Sequence, residues 1–135
     1  MANTLYDSAR KGYLEGQFNW LSDTIKCILV STSGYAVQTG THQFLSDIST
    51  SAIIAPAVVL SGTSTNGGAA DDNDVTFLPV AGNTIGAIIL YVDTGAPASS
   101  PLLAYIDTAT GLPITPNGGD IIVTWDNGAN KIYKV

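Results

Sequence analysis

Short apolar runs, each closed by glycine, proline or a cluster of small polar residues, set the rhythm of this chain: IKCILV, AIIAPAVVL, AIILYV, LLAYI and DIIVTW. Runs of this length, rich in Val, Ile, Thr and Tyr, predict strands rather than helices. A strand is expected from about Thr24 to Val30, another around Val75 to Leu78, and another in LLAYIDT. TIGAIILYVD predicts a long central strand, because Ile88, Ile89 and Leu90 make it apolar on both faces. Pro56 removes a ladder donor from AIIAPAVVL, which places that run at a sheet edge or at a bulge. Asn66-Gly67-Gly68 reads as a loop tip.

Helical spacing is scarce. NTLYDSARKGYLEG predicts a turn or two of helix capped by Asn3 or Thr4, with Leu5, Ala9 and Tyr13 on one side, weakened by Gly12 and Gly16. Thr41 ahead of HQFLSDI predicts a second, capped helical turn with Phe44, Leu45 and Ile48 facing inward.

The C-terminal stretch GLPITPNGGDIIVTWDNGANKIYKV holds Asp120, Asp126, Asn127 and Asn130 within a few residues of one another. A binding cluster and the punctuation of a hairpin both fit that composition. Asn127-Gly128 is a strong signal for a tight turn, which needs positive φ. DIIVTW would then set Ile121, Val123 and Trp125 on one face and Ile122 and Thr124 on the other, with NKIYKV as the returning strand. Backbone geometry accounts for these polar residues without a ligand.

The pattern as a whole predicts an all-β fold, an antiparallel β-sandwich or jelly-roll-like barrel of about seven or eight strands with a short N-terminal helix. One domain is expected, residues 1–18 forming a helical segment or arm and residues 19–135 the sandwich. No repeat of solenoid length is present.

Composition sharpens this picture. Hydrophobic residues make up 45% and charged residues only 12% of the chain, about half the usual charged share, so the surface is finished with Thr, Ser, Asn and Gly. Uncharged polar groups cost less to desolvate than ions, which suits a surface that packs against neighbours. The net charge is −6, and the five basic residues form no stripe, which argues against direct nucleic-acid binding. The apolar runs are too short to span a bilayer, and MANTLYDSARKGYLEG lacks the apolar core of a secretory signal, so a soluble protein made in the cytoplasm is expected.

Chemistry-bearing motifs are sparse. The single cysteine, Cys27, lies in an apolar run and reads as a buried small hydrophobe. The single histidine, His42, stands five residues from Asp47 in a turn, a surface or capping position more often than a catalytic one. Glu15, the sole glutamate, has no acidic neighbour to complete a glycosidase pair. Asp71, Asp72 and Asp74 resemble a cation loop but lack its Asp-x-Asp-x-Asp-Gly spacing, and read as a solvated turn. Asp93 and Asp107 both follow an apolar strand, in YVDTG and YIDTATG, where the carboxylate accepts local backbone N–H groups. No cofactor or metal site and no enzyme activity is expected. The aromatic residues are dispersed except for Tyr6, Tyr13, Phe18 and Trp20, which cluster near the N-terminus. That cluster either clamps the helix to the sandwich or serves as an intersubunit anchor.

ARKGYLEGQFNWLSDTIKCILVST, THQFLSDI, DVTF leading to YVDTG, and LLAYIDTATGLPITPNGGDIIVTWDNGANKIYKV together resemble a family of small tailed-bacteriophage virion proteins, over nearly the whole chain. The resemblance implies a structural role without catalytic residues. Size, strand content and low charge are similar to those of capsid decoration (cement) proteins. Such a role implies the major capsid protein and copies of this chain as partners, through exposed strand edges and the N-terminal segment, and a place on the capsid surface. A tail, collar or head-fibre component is the alternative within the same class. A host carbohydrate-binding module is a third, for which Trp125, Asp126 and Asn127 are the candidate group.

Overall fold

The computed structural model describes residues 4–54, 57–66, 69–71, 74–77, 80–107, 112, 114–123 and 133–134. Ten strands and one α-helix are present among them: β1 (Thr4–Leu5), α1 (Asp7–Leu14), β2 (Ile25–Val30), β3 (Val58–Val59), β4 (Ser64–Asn66), β5 (Ala69–Asp71), β6 (Val75–Phe77), β7 (Ala87–Val92), β8 (Leu102–Ile106), β9 (Ile121–Val123) and β10 (Tyr133–Lys134). All the strand pairings are antiparallel.

The main sheet has five strands in the order β1-β8-β7-β2-β3. Its centre is the ladder of β2 and β7, paired from Ile25↔Val92 to Val30↔Ala87. Every residue of β7 and β8 is buried, as expected for strands covered on both faces, whose sequences read as continuous apolar runs. A register shift between Leu90 and Tyr91 marks a bulge where β7 meets β8. Gly86 leads into β7 where a Cβ would collide with the side chain of Thr32, so the close approach of the 31–34 turn requires glycine there.

The edges of this sheet are β1 and β3, which leaves it open rather than closed into a barrel. β3 holds the edge position expected for the run containing Pro56; Pro56 itself lies outside the described residues. Two smaller sheets complete the fold, β10-β5-β4 and β6-β9. β4 and β5 form a hairpin in which Asn66 pairs with Ala69, as the Asn66-Gly67-Gly68 tip predicts.

Three expectations are corrected. Thr4 and Leu5 do not begin the helix; they are a strand opposite Tyr105 and Ala104, and α1 starts at Asp7. Its first flanking residue is Tyr6, which makes no side-chain cap because its ring enters the core. The turn after Thr41 is a 3₁₀ turn, Leu45–Asp47, and Thr41 does not cap it: the carboxylate of Asp47 reaches back to accept the N–H groups of Gln43 (2.8 Å) and Phe44 (3.0 Å). Finally, β9 and β10 do not pair with each other within the described residues. β9 pairs with β6 and β10 with β5, so the C-terminal segment runs back along the β5–β6 segment in reverse order. The turn residues Asp126, Asn127 and Asn130, and Trp125, lie outside the described residues.

Candidate interaction surface

The N-terminal aromatic residues divide into two pairs. Tyr6 and Trp20 are core residues, 0% and 5% exposed. Tyr6 stands where β1 turns into α1; its N–H donates to Leu103 O of β8 (3.0 Å), and its hydroxyl meets that of Tyr35 at 2.8 Å. Residues 4–6 are thereby bonded into the main sheet, and α1 follows directly from them.

Tyr13 and Phe18 are half-buried and meet edge to face, with ring centroids 5.4 Å apart and planes at 82°. The end of α1 makes this contact. Gly16 adopts φ +72°, its N–H donates to Tyr13 O (3.3 Å), and Gln17 N–H donates to Gly12 O (2.8 Å), the paired bonds of a Schellman motif. The chain is thus folded back along the helix, and the Phe18 ring lies over Gly12 where a Cβ would otherwise stand. A second brace follows: Asn19 N–H donates to Asp23 Oδ2 (2.8 Å), and Leu21 N–H to Asn19 Oδ1 (3.0 Å).

Two leucines stand out beside this pair, Leu14 at 87% and Leu21 at 58% exposed. Sequence reasoning passed over both. Leu14 was legible in principle, because it falls off the Tyr6, Ala9, Tyr13 stripe at helical spacing; Leu21 was not, because its direction is set by the 19–23 turn. The nearby charges of α1 are matched within the helix, Arg10 to Asp7 (3.1 Å) and Lys11 to Glu15 (2.9 Å). Glu15 is therefore an ion-pair partner that also accepts from Gln17 (3.1 Å). Two exposed aliphatic side chains thus flank the Tyr13–Phe18 pair in sequence, among locally balanced charges. Compared with known proteins, the chain matches no family model and no curated protein.

Beneath this surface runs a polar chain. Tyr35 Oη bonds both Tyr6 Oη and His42 Nδ1, the latter at 2.9 Å. His42 is half-buried and bonded to a core tyrosine, neither a surface nor a capping residue. Burial pushes the Tyr6 phenol well above the ordinary range and raises that of Tyr35, so both keep their protons at neutral pH and act as hydrogen-bonding groups. The Asp47 carboxyl is held below its usual range chiefly by the two backbone N–H groups it accepts, and further by His42 nearby. Its principal task is to brace the turn.

Among the remaining acidic candidates, Asp93 has a structural role. Asp93 Oδ1 accepts Gly95 N–H (3.0 Å), the expected turn role, and Oδ2 pairs with Lys26 Nζ at 2.9 Å. That lysine, foremost, holds the Asp93 carboxyl below its usual range. The residues following Asp107, and Asp72, lie outside the described residues; Asp74 is exposed. No group of three potential metal ligands occurs among the described residues. In the PNGGD turn, Asn117 Oδ1 accepts Gly119 N–H (2.9 Å) and Gly118 takes φ +86°, so Asn117 serves the backbone; Asp120 is exposed. Cys27 is buried in β2. No helix among the described residues is long and apolar enough to cross a membrane.

Proposed function

We propose that this chain is a non-enzymatic virion structural protein of a tailed bacteriophage, a capsid decoration protein that stabilises the shell by binding the major capsid protein at capsomer junctions. The observation that carries the reading is the exposure of Leu14 and Leu21, which flank the Tyr13–Phe18 pair in sequence. Large aliphatic side chains kept in water on a rigid, internally braced turn offer burial to a partner at small ordering cost. The low charge of the chain supports the same reading, since a surface finished with Thr, Ser and Asn packs into a lattice without desolvating ions. In this proposal the two small sheets stack on the five-stranded sheet as the second layer of a sandwich, and copies of the chain meet one another on the capsid surface.

Quantitative mass spectrometry of purified virions, scaled to the major capsid protein, tests the reading. A ratio near one-to-one, or a simple fraction of it, is expected. A handful of copies per particle would reassign the chain to the tail, collar or head fibre. Binding of the isolated protein to host polysaccharide would instead favour a carbohydrate-binding role.

A further inference from the structure

We propose that His42 is a proton-operated latch on the N-terminal segment: a second proton on its imidazole removes the acceptor that ends the Tyr6–Tyr35–His42 chain and loosens β1 and α1 from the sheet. Tyr6 lies at the β1–α1 junction, whereas Tyr35 and His42 stand at the two ends of a loop after β2 that is distant from it in sequence. Their two hydrogen bonds, with the Asp7 N–H to Thr39 O bond (2.9 Å) alongside, join the start of α1 to the 35–42 loop.

Proton accounting fixes the direction of the chain. Tyr6 is fully buried, and among the described residues its hydroxyl has one hydrogen-bond partner, Tyr35 Oη. The Tyr6 proton must therefore be given to Tyr35, since an ungiven proton would sit unsatisfied in the core. Tyr35 then has its own proton to give, and His42 Nδ1 lies at 2.9 Å to take it. Nδ1 can accept only when it carries no hydrogen, so the ring is neutral with its proton on Nε2. Adding a proton puts an N–H on Nδ1, facing Tyr35 Oη. The Tyr35 proton must then turn toward Tyr6 or find no partner, and either way a buried phenol proton is stranded.

The ionisable groups around His42 come from every packed element. Asp47 belongs to the 3₁₀ turn. Asp7 of α1, paired with Arg10, reaches within 3.7 Å of where a Cβ on Gly40 would lie. Tyr105 of β8 faces Tyr35, with ring centroids 6.5 Å apart. Of these, the Asp47 carboxylate interacts with the His42 charge, whereas the hydrogen-bond chain requires the neutral ring.

NMR on the full chain tests the latch. The imidazole ¹⁵N shifts should report the Nε2–H tautomer at about pH 8. Across the ring's protonation, followed by the same shifts, the Tyr6 and Asp7 amides, corrected for intrinsic exchange, should exchange about tenfold faster, the order expected for one net hydrogen bond. Amides of β7 should not change. His42→Asn keeps a carbonyl acceptor near the Nδ1 position but cannot titrate, and should abolish the step. An Nδ1–H tautomer at about pH 8 would overturn the proposal without any variant. So would ring protonation with no change at Tyr6 and Asp7, or a step of the same size in His42→Asn.

Discussion

Gly12 and Gly16 lie four residues apart in and just beyond α1, and each is glycine for a different reason. Gly16 has open space where a Cβ would project but sits at φ +72°, so the constraint is in the backbone. Gly16→Ala should cost about 1 kcal/mol, the usual penalty for an L side chain in the left-handed region, measurable by urea denaturation. Gly12 has helical backbone, where alanine would ordinarily add about 1 kcal/mol of stability. Here the added methyl would displace the Phe18 ring and with it the edge-to-face contact to Tyr13, worth about 0.5–1.5 kcal/mol. Gly12→Ala should therefore bring no gain in the native background, yet recover about 1 kcal/mol when Phe18 is already alanine. A full gain in both backgrounds would show that the ring does not depend on Gly12. The sequence marks both glycines only as weak points in a helix, because neither a Schellman turn nor a ring folded back over the helix is a periodic signal.

At the scale of elements, what could be read depended on whether local residues decided the outcome. β2, β7 and β8 were legible because burial on both faces leaves nearly unbroken apolar runs, and the edge position of β3 followed from a single proline. The start of α1 was not, because β8 claims Thr4 and Leu5 as an edge partner, overriding two good capping residues. The C-terminal pairing was not legible either: an Asn-Gly turn argues for its immediate neighbours as partners, whereas β9 takes β6, distant in sequence. The turn at Leu45–Asp47 shows the same competition in miniature, with the cap supplied from its far end by Asp47. Asp47→Ala should cost about 1 kcal/mol at neutral pH, the scale of a lost cap. The folded-state pKa of this carboxyl is depressed, so its contribution is fully present above the unfolded value of about 3.9 and is lost as pH falls through the folded value. The stability curves of the native chain and Asp47→Ala should therefore converge on acidification below about pH 4, and a constant gap would assign the effect to packing.

For the whole molecule, the four N-terminal aromatic residues, read from the sequence as either a clamp on the core or an intersubunit anchor, divide between the core and a local pair. Tyr6 and Trp20 are committed to the core and Tyr13 and Phe18 to each other, which leaves Leu14 and Leu21 as the side chains with most surface to give. The concentration of apolar residues there was legible; which of them faced outward depended on the chain folding back after Gly16, a tertiary outcome. Core and surface roles are therefore separable by substitution. Both leucines are mostly exposed, so replacing them by aspartate should leave thermal stability within about 1 kcal/mol of the native chain. The same change puts two charges where the proposed capsid contact would desolvate them, and rebinding to shells stripped of this protein should fall at least about a hundredfold. Trp20→Ala should do the opposite, lowering stability by about 3 kcal/mol through a core cavity while any folded fraction still binds. If the double-aspartate chain is folded and rebinds normally, Leu14 and Leu21 are not the contact, and the strand edges at β3 and β4 become the surfaces to substitute next.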